Sequence, residues 1–142
     1  MIKKTISIVT LLCTLAGCNA QKSAKNIEEN EVAKTDQETV DTFTTSEGTS
    51  IKMYCIKHGS VRMQIEDKWI YVDPVTNAVQ PATDFSTMPK ADYIFVTHEH
   101  FDHLDSVAIR QLTKEGTTLI TNPRSSEILG GKGSVMKNGD VI

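Results

Sequence analysis

Six residues, His98-Glu99-His100-Phe101-Asp102-His103, follow directly on the short apolar run Asp92-Tyr93-Ile94-Phe95-Val96-Thr97. After them Leu104, Val107, Ala108, Gln111 and Leu112 recur at helical spacing until Gly116, and Thr117 to Thr121 is again strand-like. A short apolar run reads as a buried strand and the 3.6-residue period as a helix with one covered face. The result is a strand, helix, strand unit, whose strands lie parallel and which calls for an α/β architecture. In that architecture ligands gather at the carboxyl ends of strands, where the connecting loop displays its side chains. That loop here carries three of the chain's four histidines and an aspartate.

Such a loop is metal chemistry. Imidazole nitrogens together with carboxylate oxygens suit zinc, iron or manganese, and HxHxDH supplies ligands at alternate positions plus an adjacent Asp-His pair. Two metal sites can share it. The alternative is a set of solvated loop histidines, but the accidental occurrence of HxHxDH in a chain of this composition has odds on the order of one in ten thousand.

Upstream, IKMYCIK and VRMQIE alternate apolar and polar residues around His58-Gly59-Ser60, and WIYVDP follows Asp67-Lys68. This is strand, turn, strand, tight turn, strand. Val75 to Lys90, which follows Pro74 and contains Pro81 and Pro89, reads as a loop. Pro123 to Leu129 predicts a second short helix, Ser134 to Met136 a strand, and Asn138-Gly139 a turn within a hairpin. Asp73 is a candidate for lining the site or orienting a ligand, with a turn-forming role before Pro74 as its alternative. His58 is a candidate substrate contact or simply a turn residue. Cys55 reads as a small core hydrophobe, Trp69, Tyr71 and Tyr93 as packing residues, and Asp105 as a helix cap.

The net charge is −3 and no basic stripe is present, so nucleic acid is excluded as a partner. Cys13, Cys18 and Cys55 are too few and too badly spaced for a disulfide-stapled domain. Residues 1–17 read as a secretory signal peptide: Lys3-Lys4, then an apolar run from Ile6 to Leu15 that is too short to span a bilayer. Leu15-Ala16-Gly17-Cys18 resembles the lipobox of bacterial lipoproteins, which implies cleavage before Cys18, lipidation of Cys18 and attachment to the cell envelope. Asn19 in place of Asp points to the outer membrane if the host is Gram-negative. Residues 18–50 then form a lipidated cysteine and a disordered tether, since from Asn19 onward seven acidic residues and three lysines accompany only scattered apolar ones.

With these residues in view, the chain from Ile51 to Ile142 resembles the metallo-β-lactamase-fold hydrolases, in particular the branch of L-ascorbate 6-phosphate lactonase and N-acylphosphatidylethanolamine phospholipase D. The resemblance rests on HxHxDH after an apolar strand, on Asp73-Pro74, on His103-Leu104-Asp105, and on His58-Gly59, whose order is reversed relative to that branch. It implies an α/β fold, the N-terminal half of an αββα sandwich. It also implies that His98 and His100 hold one metal and Asp102 and His103 a second, with Zn²⁺ expected and Mn²⁺ or Fe as alternatives. Asp102 would further orient a metal-activated water that attacks an ester, lactone or phosphodiester of a small-molecule substrate. Complete members carry further ligands in a second half, whereas no histidine follows His103 here. The expectation is therefore an N-terminal piece of a longer hydrolase, binding metal weakly and hydrolysing little by itself. The competing expectation is a non-catalytic metal-binding or interaction module, completed by a partner or a homodimer.

Overall fold

A computed structural model describes residues 39–142. The signal peptide, the lipidation site Cys18 and most of the tether lie outside the described residues. Within them, no helix is long and apolar enough to cross a membrane.

Seven strands form one mixed sheet in sequential order: β1 (Val40–Thr44), β2 (Ser50–Lys57), β3 (Ser60–Ile65), β4 (Lys68–Val72), β5 (Tyr93–Val96), β6 (Thr118–Thr121) and β7 (Ser134–Val135). The first four pair antiparallel, because turns of a few residues join them. From β4 onward the pairing is parallel, as the longer connections require. Those connections carry a 3-10 turn (Phe85–Thr87), helix α1 (Ser106–Leu112) and helix α2 (Pro123–Ile128). β7 extends the parallel part of the sheet beside β6 rather than opening a hairpin.

The tether expectation needs correction over its last residues. Val40 to Thr44 pair along the whole first half of β2, although every side chain of β1 is exposed. Composition failed here because edge-strand pairing satisfies backbone groups and needs no buried side chain.

Strand register sorts the side chains onto two faces. Tyr71, Ile94 and Leu119 stand side by side across β4, β5 and β6. With Val96 they meet Ala108, Ile109 and Leu112 of α1, together with Phe85 and Ala91, in one core where Tyr71, Phe85, Ile94 and Leu112 are fully buried. The helix-period residues Leu104, Ala108 and Leu112 thus face the sheet as their spacing predicts, whereas Val107 is exposed. On the opposite face Ile51, Met53, Met63, Ile65, Ile70 and Phe95 are only half-buried, and none belongs to that core. Cys55 is exposed in β2 and is not the core residue that its strand context predicted, because it keeps register with Ile51 and Met53 on the sheet face that α1 does not cover.

The Asp105 carboxylate ties the long segment after β4 to the start of α1. Asp105 caps α1, its Oδ1 accepting from the Val107 and Ala108 amides at 2.7 and 3.3 Å. Its Oδ2 accepts from the Thr76 N–H at 2.8 Å and the Thr76 hydroxyl at 2.5 Å, a second role that its capping position does not reveal. Thr76→Val keeps the volume and loses only the hydroxyl bond to a carboxylate, so stability falls by about 1.5 kcal/mol, read as a lower urea midpoint at unchanged slope.

Candidate metal centre

The apolar side chains of β5 end at Val96, and the backbone leaves the sheet at Thr97 into HEHFDH. The neighbouring strand β4 ends one step away at Asp73, whose N–H donates to the Phe95 carbonyl at 2.9 Å. Two strand ends therefore bring Asp73 and the histidine loop together, though 24 or more residues separate them in sequence.

Asp73 is 3% exposed and sits at φ +44°, a left-handed conformation that aspartate tolerates better than most residues. The donors to its carboxylate come from Thr97 and the histidine loop. The Thr97 N–H reaches Oδ1 at 2.7 Å, and the Thr97 hydroxyl and His103 Nδ1 reach Oδ2 at 2.6 and 2.8 Å. The Thr97 hydroxyl also lies 2.9 Å from His98 Nδ1. Since that hydroxyl donates to the carboxylate, it accepts from His98. One buried carboxylate thus assigns the Nδ1–H tautomer to two histidines, directly to His103 and through Thr97 to His98. Their Nε2 atoms are left free as ligands.

Asp102 and His58 complete the cluster. His58 Nε2 lies 3.0 Å from Asp102 Oδ2, and His103 Nε2 lies 3.7 Å from the same oxygen. Burial works against ionisation of Asp102, but its own backbone N–H and the nearby His103 and His58 outweigh this and hold the carboxyl below its usual range. The rings stack closely, with centroids 3.9 Å apart for His98 and His103 and 5.1 Å for His58 and His103. Ligand atoms converge within 4.8 Å in two groups: His58, Asp102 and His103, and Asp73, His98 and His103. The donor set fits a divalent metal of the zinc, iron or manganese type.

The sequence-predicted residues are all close together, but the grouping differs from the pairing that the resemblance implied. His103 belongs to both groups, and His58 joins Asp102 and His103 rather than standing apart. His100 is exposed, edge-on to His98 with centroids 4.6 Å apart, and belongs to neither group. Of the two intervening residues, Phe101 is 75% exposed. Glu99 is held below the usual carboxylate range, chiefly by its own backbone N–H and further by Asn122.

Several residues of the site were not foreseen. Thr97 had a legible signal in its place immediately before the motif, where a hydroxyl can reach both a neighbouring strand end and the first histidine. Asn122 caps α2 through the Ser125 N–H at 2.7 Å and donates to the Thr97 carbonyl at 3.2 Å, tying the loop to the next strand end. The Ser60 hydroxyl donates to the Asp73 carbonyl at 2.5 Å. Gly59 lies so close that a Cβ there would stand 2.9 Å from His103 Cε1. These contacts join residues remote in sequence and leave no local pattern.

A mixed sheet with a histidine and aspartate cluster at the carboxyl ends of its parallel strands defines a class of α/β proteins with a candidate metal centre. The chain belongs to the β-lactamase superfamily: the sequence profile described as "Beta-lactamase superfamily domain" matches residues 68–140, just over half of its length. It is also similar to a solved structure, a presumed metal-dependent hydrolase from Parabacteroides distasonis ATCC 8503, with 44% identity and a TM-score of 0.65. The match covers 72% of this chain and 44% of that one, so the chain spans less than half of the solved relative.

Proposed function

We propose that this protein is a metal-dependent hydrolase that cleaves an ester, lactone or phosphodiester bond of a small molecule with a metal-activated water. The observation that carries the proposal is the Asp73 network, which fixes His103 directly and His98 through Thr97, with His103 Nε2 standing 3.7 Å from the Asp102 carboxylate. His98, His103, Asp102 and His58 would hold the ion, with His100 at the rim. A bound divalent ion supplies Lewis acidity to the scissile bond and brings the pKa of water from 15.7 towards about 7. Asp102 orients the attacking water, and His58 faces the same space, where it can also touch substrate. Zn²⁺ is the proposed metal, with Mn²⁺ or Fe compatible with the same donors.

The proposal includes three further parts. Additional ligands come from outside residues 39–142, either from more sequence or from a second copy; the greater length of the solved relative supports this. The half-buried sheet face packs on a second sheet to form an αββα sandwich, since apolar strands open to water on that side gain by being covered. Lipid on Cys18 holds the protein in the cell envelope. A second reading, a metal-binding or interaction module without turnover, is favoured by the fact that the cluster draws on so few elements.

Protein isolated from its host's membranes decides between them. The expected result is acylated Cys18 by mass spectrometry and hydrolysis of a lactone or an aryl phosphodiester that chelator abolishes and zinc or manganese restores. The chain of residues 1–142 alone is expected to bind zinc weakly, and His98→Ala with His103→Ala to bind none. Metal binding without any metal-dependent turnover in the native protein overturns the hydrolase reading in favour of the module. Equal binding by wild type and the double variant overturns both.

A further inference from the structure

The Lys57 ammonium group stands 2.6 Å from the Thr76 carbonyl, 2.7 Å from that of Val79 and 2.8 Å from that of Pro81. Three carbonyl dipoles aimed at one point repel one another unless a cation stands there. A lysine head group supplies one positive charge and three N–H donors, the number of acceptors present. Burial pushes this ammonium below the ordinary lysine value, and Asp105 counters that push. The charge distribution explains the counter-effect, because Asp105 holds the other side of the same Thr76 residue through its N–H and hydroxyl. Thr76 is thus gripped between an ammonium and a carboxylate.

The position of Lys57 in the chain matters equally. His58, its neighbour, meets Asp102, and Ser60 binds the Asp73 carbonyl. One tight turn and its flanks therefore contact the histidine loop, the backbone of the aspartate that orients it and the segment after that aspartate. Thr76 and Asn77 of that segment, with Ala82, Thr83 and Asp84 beyond it, line an open groove of about 310 Å³ together with Val107 and Gln111 of α1. A groove of this volume accommodates a small molecule.

We propose that Lys57 is a positioning residue for this site: its ammonium group fills a three-carbonyl cation seat and so fixes residues 76–81, the segment that holds Asp105 just after the histidine loop. The inference goes beyond the hydrolase reading and rests on it only where metal affinity is the readout. Without the ammonium the carbonyls separate, the Thr76 grip on Asp105 loosens, and the segment between Asp73 and Pro81 samples other arrangements.

Hydrogen exchange in the full chain tests this. In Lys57→Ala the Thr76 and Thr83 amides, which donate to Asp105 and to the Thr76 carbonyl, are expected to exchange at least about tenfold faster. Methylammonium chloride enters the vacated seat and restores protection. Tetramethylammonium at equal ionic strength, having no N–H donor, does not. Lys57→Met keeps the stem and its packing, so it is expected to lose protection with no rescue, and it serves where the alanine variant fails to fold. Zinc affinity falls several-fold in step with protection and returns with methylammonium. Unchanged protection in both variants overturns the proposal, and so does a loss that both ammonium salts repair equally or that neither repairs. A wild-type chain that binds no zinc overturns the metal reading instead, while the exchange result still decides the role of Lys57.

Discussion

Asp73→Asn lowers zinc affinity by about 10–100-fold and leaves the sheet folded, the scale expected when a group that orients metal ligands is lost. Asparagine matches aspartate in shape and tolerates the left-handed backbone at this position, so the substitution isolates the chemistry. Its amide oxygen still accepts from the Thr97 N–H. Its NH₂ group, however, now confronts the Thr97 hydroxyl and His103 Nδ1–H, both donors in the native arrangement. One donor is left without an acceptor at a site 3% exposed, which costs about 1–3 kcal/mol of stability. His103 is then free to turn or to exchange its tautomer, and His98 loses its orientation through Thr97. Asp73→Ala is expected to be worse, because alanine adds the left-handed strain of about 1–2 kcal/mol to the lost bonds. Calorimetric zinc titration and urea unfolding measure both quantities. Native zinc affinity in Asp73→Asn would remove Asp73 from the site.

Gly59→Ala provides the second large effect by a different route. Gly59 has no left-handed φ, so the backbone accepts alanine, but the added Cβ would meet His103 Cε1 at 2.9 Å and Nδ1 at 3.1 Å. The imidazole has to give way, and the 2.8 Å bond to Asp73 lengthens or breaks. Zinc affinity is expected to fall about tenfold, with an overpacking cost of only about 1 kcal/mol. The cycle with His103→Ala separates this from general damage. In that background the added methyl has nothing to strike, so Gly59→Ala should leave stability unchanged. An equal stability loss in both backgrounds would place the strain elsewhere in the turn.

The two substitutions explain why the loop was readable and its setting was not. HxHxDH is a local pattern, because six consecutive residues on one loop after a strand stay near one another wherever the rest of the chain goes. Asp105 was readable as a cap for the same reason: a side chain bonding amides two and three residues ahead is decided within one helical turn. The strand periods survived as well, since Tyr71, Ile94 and Leu112 are buried where an alternating or helical pattern puts them. Cys55 and the strand Val40–Thr44 were misread because alternation does not say which sheet face is covered and an edge strand needs no apolar face.

The sequence by itself determined the ligand types, their order on one loop, the strand that delivers them and the helix that follows, all by contacts within a few residues. Only the tertiary structure decided which nitrogen His98 and His103 present, because that depends on Asp73 arriving from the end of the adjacent strand. It alone placed His58 and Gly59 against the loop, Ser60 against Asp73 and Lys57 against the segment after it, in contacts that span from about 13 to more than 40 residues of chain. Such contacts depend on the order in which strands pair across the sheet, and no short-range periodicity records that order.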